Sequence, residues 1–246
     1  MLLELRDTSK RYGDMVVLPR LSLAVEDGEF LGVIGPNGAG KSTMFGLISG
    51  SARCDSGKVF LDGRDVTLLN AAERCKAGIG RTFQIPQPFE GMTAYENALV
   101  AATFGSAEHA TAPSRAVEAI ERCGLGAVAD KLAGTLTLLQ RKRLELARAI
   151  ATRPRLLLLD EVAGGLTDAE MQQLLQLIVT VHQSGVTVLW IEHLVHALVS
   201  AADRLLVLAN GSVICDGEPK AVMADATVRQ TYLGSDVEEV IDRAAH

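Results

Sequence analysis

The chain has 246 residues, of which 48% are hydrophobic and only 4% aromatic, and its formal net charge is −6 at pH 7. This length and apolar content fit one or two α/β domains with a sizeable core, while the acidic balance argues against nucleic acid or anionic lipid bound by bulk charge. The four cysteines are scattered without a C-x-x-C pair, which predicts reduced, buried thiols in a cytosolic protein. We expect neither a signal peptide nor a membrane span.

The first predicted elements are strands over residues 2–7 and 15–25, where apolar and polar residues alternate. Residues 58–62, between two glycines, predict a further strand, and together the three predict a small antiparallel β layer. A continuous apolar stretch, Glu29–Ile34, predicts a buried strand instead. It is followed by a glycine-rich segment and by a predicted helix that starts near Met44.

The glycine-rich segment, Gly35–Ser42, matches the phosphate-binding pattern G-x-x-x-x-G-K-[ST] and stands between a strand and a helix, as that motif requires. Successive backbone N–H groups in such a loop, with a helix N-terminus behind them, bind polyphosphate. Lys41 is predicted to reach the β- and γ-phosphates, and Ser42 to hold Mg²⁺. The predicted nucleotide-binding residues of the segment are Gly35, Asn37, Gly38, Ala39, Gly40, Lys41, Ser42 and Thr43.

Residues 85–152 predict a mostly helical insert. A capping box at Thr93 begins a helix that runs to about Phe104, and a second capping-box pattern stands at Thr137. Small and polar residues over 105–113 predict a loop. The other two helices of the insert are predicted over Ser114–Cys123 and from Thr137 to about Thr152.

An alternation of strands and helices resumes after the insert. Arg155–Asp160 and Val186–Ile191 predict buried strands, and a capping box at Thr167 begins a helix that ends at Gly185. Asn210-Gly211 predicts a type I′ hairpin between strands Leu205–Leu208 and Ser212–Cys215. From Pro219 onward the sequence predicts one or two helices with a polar end.

The leucine-rich strand Arg155–Asp160 ends at one carboxylate, Asp160, and a second carboxylate, Glu161, follows directly. In nucleoside triphosphatases a carboxylate at the end of a core strand beside the phosphate loop binds Mg²⁺, directly or through water. The next carboxylate can orient or deprotonate the attacking water. We therefore predict Asp160 for the metal and Glu161 for the water, with two solvated acids at a strand end as the alternative.

Several further segments resemble, in the same order, motifs of the ATP-binding subunits of ABC transporters, and the resemblance covers nearly the whole chain. It implies that Tyr12 stacks on adenine, that Gln84 contacts Mg²⁺ or the attacking water, and that His193 contacts the γ-phosphate. The structural alternatives are an exposed turn aromatic for Tyr12, a surface polar residue for Gln84 and a structural histidine for His193. The segments are Lys10-Arg11-Tyr12-Gly13, read as a loop, Arg81-Thr82-Phe83-Gln84 and Trp190-Ile191-Glu192-His193.

The signature segment departs from the family pattern, which is close to Leu-Ser-Gly-Gly-Gln and contacts ATP held by a second subunit. Here Thr137 supplies a hydroxyl, but Leu138 and Leu139 replace small residues that allow a close approach. A helix cap formed by Thr137 and Gln140, with a weakened γ-phosphate contact, is the alternative. The whole segment is Leu136, Thr137, Leu138, Leu139 and Gln140.

A second departure follows Glu161, where the family usually has Pro and then an Asp in the loop that crosses to the partner subunit. Val162 comes next here, and Thr167 takes the usual Asp position. This change leaves the cross-subunit hydrogen bonding of the loop open. Capping of the next helix by Thr167 is a sufficient alternative explanation.

The segment Arg81–Thr93 is similar to importers of branched-chain, hydrophobic amino acids, as are Ile191–His193, Asn210–Pro219 and Tyr232–Gly234. Some of these importers share leucine-rich signatures, so both departures fit that subfamily. The resemblance implies an α/β fold of the P-loop NTPase (ABC ATPase) type, with a RecA-like core, a small antiparallel β subdomain and a helical subdomain. We expect one domain over 1–246, with the core at 1–84 and 153–246 and the helical insert at 85–152.

The resemblance also implies an ATPase that powers import of a branched-chain amino acid or a related solute such as an amide or urea. Implied partners are two transmembrane permease subunits, a second identical or paralogous ATP-binding subunit and, indirectly, an extracytoplasmic solute-binding protein, at the cytoplasmic face of the plasma membrane. The alternatives are a poorly hydrolysing half of an asymmetric dimer and a non-transport ABC ATPase acting on ribosomes or DNA. The implied cofactors are ATP and Mg²⁺, with Lys41, Gln84, Glu161 and His193 catalytic and Ser42, Gln84 and Asp160 at the metal.

Overall fold

The computed structural model describes residues 1–106 and 109–232. The polar end of the tail and the predicted pattern at Leu233-Gly234 lie outside this range. The strands are β1 (Leu3–Tyr12), β2 (Met15–Val25), β3 (Phe30–Ile34), β4 (Ser56–Leu61), β5 (Arg64–Asp65), β6 (Ile79–Arg81), β7 (Leu156–Asp160), β8 (Thr187–Ile191), β9 (Arg204–Ala209) and β10 (Ser212–Gly217). The α-helices are α1 (Lys41–Ser49), α2 (Ala71–Lys76), α3 (Ala94–Phe104), α4 (Ala112–Arg122), α5 (Leu138–Ala151), α6 (Asp168–Gln183), α7 (Val195–Ala201), α8 (Pro219–Ala224) and α9 (Ala226–Tyr232).

The chain divides into two compact units. The first consists of Met1–Asn70 and Thr187–His246, and the second of Ala71–Val186. Within the described residues, no helix is long and apolar enough to cross a membrane. The boundaries expected from the sequence, at 84/85 and 152/153, stay a prediction.

The first unit contains the predicted small antiparallel sheet, with strand order β2-β1-β4-β5. The alternating pattern of β1 produces one buried face, on which Leu3 and Leu5 are almost fully shielded from solvent. The strand is longer than the predicted range 2–7, because it continues to Tyr12 and pairs there with Met15. The short strand β5 was not predicted.

The first unit also contains four strands in the order β10-β9-β3-β8, in which β3 pairs in parallel with both β8 and β9. All five residues of β3 and of β8 are buried, as expected for continuous apolar strands in a parallel sheet. The hairpin between β9 and β10 is confirmed, since Asn210 and Gly211 have φ angles of 48° and 74°. Strand β9 ends near the glycine-rich loop that follows β3, since Gly35 lies against Leu208.

The second unit pairs β6 with β7 in parallel and contains helices α2 to α6. Capping boxes form at Thr93, Thr137 and Thr167, as the sequence predicted. Helix α4 begins at Ala112, two residues before the predicted start. Its Pro113 lies in the first turn, where a helix needs no N–H donor, so this proline does not extend the loop over 105–113.

Other expectations need correction. Helix α1 begins at Lys41 rather than near Met44, so the end of the phosphate-binding pattern is itself helical. Helices α2 and α7 were not predicted, since both are shorter than the window over which helical periodicity can be recognised. The four cysteines are free thiols, but only Cys123 is buried, while the other three are partly exposed.

Candidate nucleotide site

The phosphate-binding pattern forms a tight loop between β3 and α1 in the first unit. Gly40, the residue before α1, has a φ of 101°, which an L side chain rarely adopts. Gly35 lies so close to a neighbouring strand that a Cβ there would come within 2.1 Å of the Leu208 carbonyl oxygen. Both positions therefore require glycine, and the loop backbone can take the shape that exposes successive N–H groups.

Lys41 closes this loop from within. Its side chain is buried, and its ammonium donates hydrogen bonds to the carbonyl oxygens of Gly35 at 2.6 Å and Pro36 at 3.1 Å. The ammonium therefore lies against the loop that is predicted to bind the phosphates, which the ammonium itself is also predicted to contact. Among the other residues that are predicted to bind nucleotide, Asn37, Gly38 and Ser42 are exposed, Thr43 is half-buried, and Ala39 is buried.

Tyr12 and His193, also in the first unit, present exposed side chains. Tyr12 ends strand β1 rather than lying in a loop, which corrects the prediction, and its ring is 49% exposed. The Lys10 ammonium lies 5.2 Å from the centre of that ring. The backbone N–H of His193 donates to the Glu192 carboxylate at 2.9 Å, which fixes the turn between β8 and α7.

The two predicted carboxylates of the second unit lie at the end of β7. The partner of Asp160 is the last residue of β6, and the partner of Glu161 comes from the segment after β6. Asp160 is buried, and its carboxylate forms an ion pair with Arg81 at 3.0 Å. The Gln84 amide donates to the Glu161 carboxylate at 2.5 Å. The structure therefore brings Gln84 and Glu161 together.

Sequence reasoning missed how α5 holds the segment that carries Gln84. The buried carboxylate of Glu145 accepts from the Gln87 N–H at 2.8 Å, and Arg148 donates to the Gln87 carbonyl, also at 2.8 Å. Lys142 donates to the Gln84 carbonyl at 3.4 Å. The spacing of three charged residues at i, i+3 and i+6 places them on one helix face, and this was the available signal.

The signature segment is formed as a helix start. The Thr137 hydroxyl accepts from the Gln140 N–H at 3.3 Å, and the Gln140 side chain accepts from the Thr137 N–H at 3.0 Å. Leu138 is 42% exposed and packs towards Gly165, where an added Cβ would lie 3.2 Å from its Cδ2. The two departures from the family pattern therefore lie next to each other in this unit.

Thr167 caps α6, as the structural alternative predicted. Its hydroxyl accepts from the Glu170 N–H at 3.3 Å, and its own N–H donates to the Glu170 carboxylate at 2.9 Å. The hydrogen bonds from the backbone N–H and the hydroxyl of Thr167 lower the pKa of Glu170. Helix capping accounts for this threonine within the chain.

Fit to Mg²⁺ can be judged from the donor set. Among the described residues, no group of three or more His, Cys, Asp or Glu side chains could hold a metal ion. Mg²⁺ bound with a nucleotide does not need such a group, because that ion commonly takes one or two protein oxygens and completes its shell with phosphates and water. The oxygen donors predicted for it are Ser42, exposed at the first turn of α1 in the first unit, and Asp160, at the end of β7 in the second unit.

An apolar groove of about 300 Å³ lies in the second unit, alongside the segment that carries Gln84. Phe83, Phe89 and Phe104, which line it, are 47%, 47% and 70% exposed. Arg81 and Arg148 also line it, and each guanidinium lies 5.2 Å from the centre of a phenylalanine ring. Both are paired, Arg81 with Asp160 and Arg148 with Glu145, so the groove combines apolar area with compensated charges.

A glycine-rich loop between a buried parallel strand and a helix, with paired carboxylates at the end of another parallel strand, defines a P-loop nucleoside triphosphatase. Comparison with known proteins narrows this class. The family model described as "ABC transporter" matches residues 18–164. The chain belongs to the ABC transporter ATP-binding family, which binds and hydrolyses ATP, and the fold class predicted from the sequence is confirmed.

The similar curated proteins include ATP-binding proteins of amino acid transport and of lipopolysaccharide export. The chain is 35% identical to the probable branched-chain amino acid transport ATP-binding protein LivG of Archaeoglobus fulgidus, over 97% of this chain and 98% of that protein. It is also 35% identical to the high-affinity branched-chain amino acid transport ATP-binding protein BraF of Pseudomonas aeruginosa, over 95% and 98%. The lipopolysaccharide export system ATP-binding protein LptB of Haemophilus influenzae is 34% identical over 95% and 97%.

Solved structures agree with the fold. An ATP-binding cassette of an ABC transporter in its ADP conformation superposes with a TM-score of 0.87 at 31% identity, covering 95% of this chain and 99% of that one. A second cassette, described as the dimeric structure of a post-hydrolysis state bound to ADP and phosphate, gives 0.78 at 25% identity, over 89% and 99%. Both neighbours are nucleotide-binding subunits of the same family.

Proposed function

We propose that this ATPase powers an importer of branched-chain amino acids or of a related small organic solute such as an amide or urea. The observation that carries the proposal is the similarity to LivG and BraF over almost the full chain. The segment Arg81–Thr93 is the part of the chain in which the resemblance to such importers is most specific. A lipopolysaccharide-type export role is the second candidate, because the similarity to LptB is nearly as high.

In the proposed site, Tyr12 stacks on adenine and the loop from Gly35 to Thr43 holds the phosphates through its backbone N–H groups. Lys41 carries the positive charge that is needed as charge develops on the transferred phosphoryl group. Mg²⁺, held by Ser42 and Asp160 with Gln84 near it, would supply further positive charge to the phosphate oxygens.

Hydrolysis needs a water aimed at the γ-phosphate. Glu161 accepts a proton from that water or orients it, Gln84 holds the Glu161 side chain, and His193 contacts the γ-phosphate. The hydrogen bond between Gln84 and Glu161 supports this pairing. A positioned general base typically contributes a factor of about 10²–10⁴ to the rate.

The signature segment, Leu136–Gln140, acts on ATP held by a second ATP-binding subunit, identical or paralogous. Its exposed start and the N-terminal end of α5 support this role. Binding of ATP would close the pair of subunits, and hydrolysis would release them.

The apolar groove of the second unit is the proposed docking site for a transmembrane permease subunit. Three exposed phenylalanine rings at one place favour a partner that inserts apolar side chains. Two such permease subunits would hold the chain at the cytoplasmic face of the membrane, and a solute-binding protein would deliver the solute outside.

The experiment is a gentle detergent pull-down of the tagged chain, with its partners identified by mass spectrometry. Recovery of two polytopic membrane proteins and a second cassette, followed by ATP-dependent uptake of leucine or urea into proteoliposomes, is the expected result. Recovery of lipopolysaccharide-handling proteins would favour the export candidate. Ribosomal or DNA-associated proteins without membrane subunits would contradict the transport role.

A poorly hydrolysing half of an asymmetric dimer is the alternative that Leu138 and Leu139 favour. A weak signature would impair the ATP bound by the partner, not the ATP on this chain. Leu139→Gly should then speed turnover in the assembled complex. An unchanged rate, with folding intact, would count against this alternative.

A further inference from the structure

We propose that the β9–β10 hairpin turn, Asn210-Gly211, positions the phosphate-binding loop by fixing the direction of one phosphate-binding N–H group. This inference rests on the proposed role of that loop. The turn is remote in sequence from the loop, and no motif assigns it a part in nucleotide binding. It contacts the loop through Gly211.

The contact is a hydrogen bond from the Gly211 N–H to the carbonyl oxygen of Ala39, 3.0 Å long. Ala39 and Gly40 share one trans peptide unit, in which the C=O and the following N–H point in opposite directions. Holding the Ala39 carbonyl against the hairpin therefore directs the Gly40 N–H to the other side of the loop. That N–H belongs to the row that a phosphate-binding nest uses.

Gly211 reaches this position because it lacks a side chain. It is buried, although the adjacent Asn210 is exposed. A Cβ on Gly211 would lie 2.2 Å from the Val17 carbonyl oxygen and 2.7 Å from Pro19 Cδ. The turn therefore packs closely between the loop and β2. A side chain at residue 211 would push the turn away from Ala39.

The same part of β2 also contacts the loop directly. A Cβ on Gly40 would lie 2.8 Å from Leu18 Cδ2 and 3.4 Å from the Val17 carbonyl oxygen. Val17 thus faces both Gly40 and Gly211. The loop is held on this side by two elements at once, and Gly211 is the one that holds it through a hydrogen bond.

The test compares Gly211→Ala with Gly63→Ala in the full chain. Gly63 has a φ of 72°, close to the 74° of Gly211, but a Cβ on Gly63 would meet no atom within 4 Å. Both variants therefore place a Cβ at nearly the same φ, and only the one at residue 211 meets neighbouring atoms. The measurements are the dissociation constant of ADP with Mg²⁺ by calorimetry and the amide proton shift of Gly40 by NMR.

We expect Gly211→Ala to bind ADP at least about tenfold more weakly than Gly63→Ala, the loss of roughly one hydrogen bond to a charged group. We also expect ADP to shift its Gly40 amide proton less than in the unaltered chain. Equal affinities and equal Gly40 shifts in the two folded variants would overturn the inference. If the unaltered chain itself bound no ADP, the proposed function would fail instead.

If Gly211→Ala does not fold, hydrogen exchange in the unaltered chain tests the inference instead. In the unaltered chain, ADP should slow hydrogen exchange of the Gly211 N–H by about tenfold more than that of the Val66 N–H. Val66 donates to Val59 at 2.9 Å beside the turn that contains Gly63, so it reports general stabilisation. Equal slowing at both amides would contradict a link between the hairpin turn and the phosphate loop.

Discussion

Glu161 has a backbone conformation that glutamate rarely adopts. Its φ is 47° directly after the buried strand β7, and a non-glycine residue held there costs about 1–3 kcal/mol. Such strain is maintained where surrounding structure requires it, and here the side chain accepts a hydrogen bond from Gln84. These features support the catalytic interpretation over that of a solvated acid at a strand end.

Cys123 gives a prediction about stability at alkaline pH. Burial raises the pKa of its thiol from 9.0 to about 12, so above pH 9 the thiol ionises in the unfolded chain but not in the folded one. The contribution of the neutral thiol to the free energy of unfolding is therefore fully present below pH 9, and it is lost as the pH rises from 9 towards 12. Between pH 8 and 10 we expect the free energy of unfolding to drop by about 1.4 kcal/mol more in the unaltered chain than in Cys123→Ala.

The measurement is urea unfolding of both chains at the two pH values. Lysines and tyrosines titrate equally in both, so the difference isolates the thiol. Identical pH dependence in the two chains would show that Cys123 ionises in the folded state.

At the scale of single elements, α5 links the signature segment to the segment that carries Gln84. Thr137 begins the helix, and Glu145 and Arg148, two and three turns further on, hold both backbone groups of Gln87. Because an α-helix is stiff over this length, displacement of its start moves the held segment with it. We therefore predict that Lys142, Glu145 and Arg148 couple the position of this segment to that of the helix.

We predict that Glu145→Ala frees this segment. Removing the carboxylate leaves the Gln87 N–H and the Arg148 guanidinium without their 2.8 Å and 2.7 Å contacts to it. Hydrogen exchange over residues 85–92 should become at least about tenfold faster, since a hydrogen bond to a charged group contributes about 1.5–3 kcal/mol. The control is Glu118→Ala, which removes an exposed pair with Arg122 at 3.7 Å. Equal exchange in the two variants would refute the prediction.

Arg115 is a buried cation that joins two helix ends in the second unit. Its guanidinium donates to the carbonyls of Ala102, near the end of α3, at 2.6 Å and of Ala151, at the end of α5, at 3.4 Å. Helix ends leave such carbonyls without partners, so this side chain satisfies groups that burial would otherwise penalise.

Arg115→Met should therefore lower the free energy of unfolding by about 2–4 kcal/mol, because two carbonyls lose their donor. Chemical denaturation of the full chain measures it. The comparison is Arg122→Met, on the same helix, because the partners of Arg122 are exposed. This substitution should lower the free energy of unfolding by less than about 1 kcal/mol. A cost for Arg115→Met no larger than this would contradict the capping role.

The sequence predicted those features that depend on neighbouring residues. The phosphate loop, the three capping boxes and the Asn210-Gly211 turn follow from local backbone chemistry, and each was found. The Arg81–Asp160 ion pair and the bonds from α5 to Gln87 join residues 58 to 79 positions apart. No local pattern specifies such pairings. Helix α4 begins two residues before the predicted start because Pro113 occupies its first turn, a position that proline shares with loops.

For the whole molecule, the residues proposed for hydrolysis are shared between the two units. The first contains the phosphate loop, Tyr12 and His193, and the second contains Gln84, the two carboxylates and the signature segment. The second also contains the apolar groove proposed for the permease. The proposed catalytic carboxylate Glu161 and the proposed docking groove therefore belong to the same unit.

The most direct test of this account is ATP hydrolysis by the affinity-recovered complex with Glu161→Gln. We expect the rate to fall by about 10²–10⁴ while ATP binding is retained, because the amide can hold a hydrogen bond but cannot take a proton. Glu118→Gln, an exposed change on α4, should hydrolyse ATP at the unaltered rate. Hydrolysis by the Glu161→Gln complex at the unaltered rate would contradict the catalytic role of this carboxylate and, with it, the proposed site.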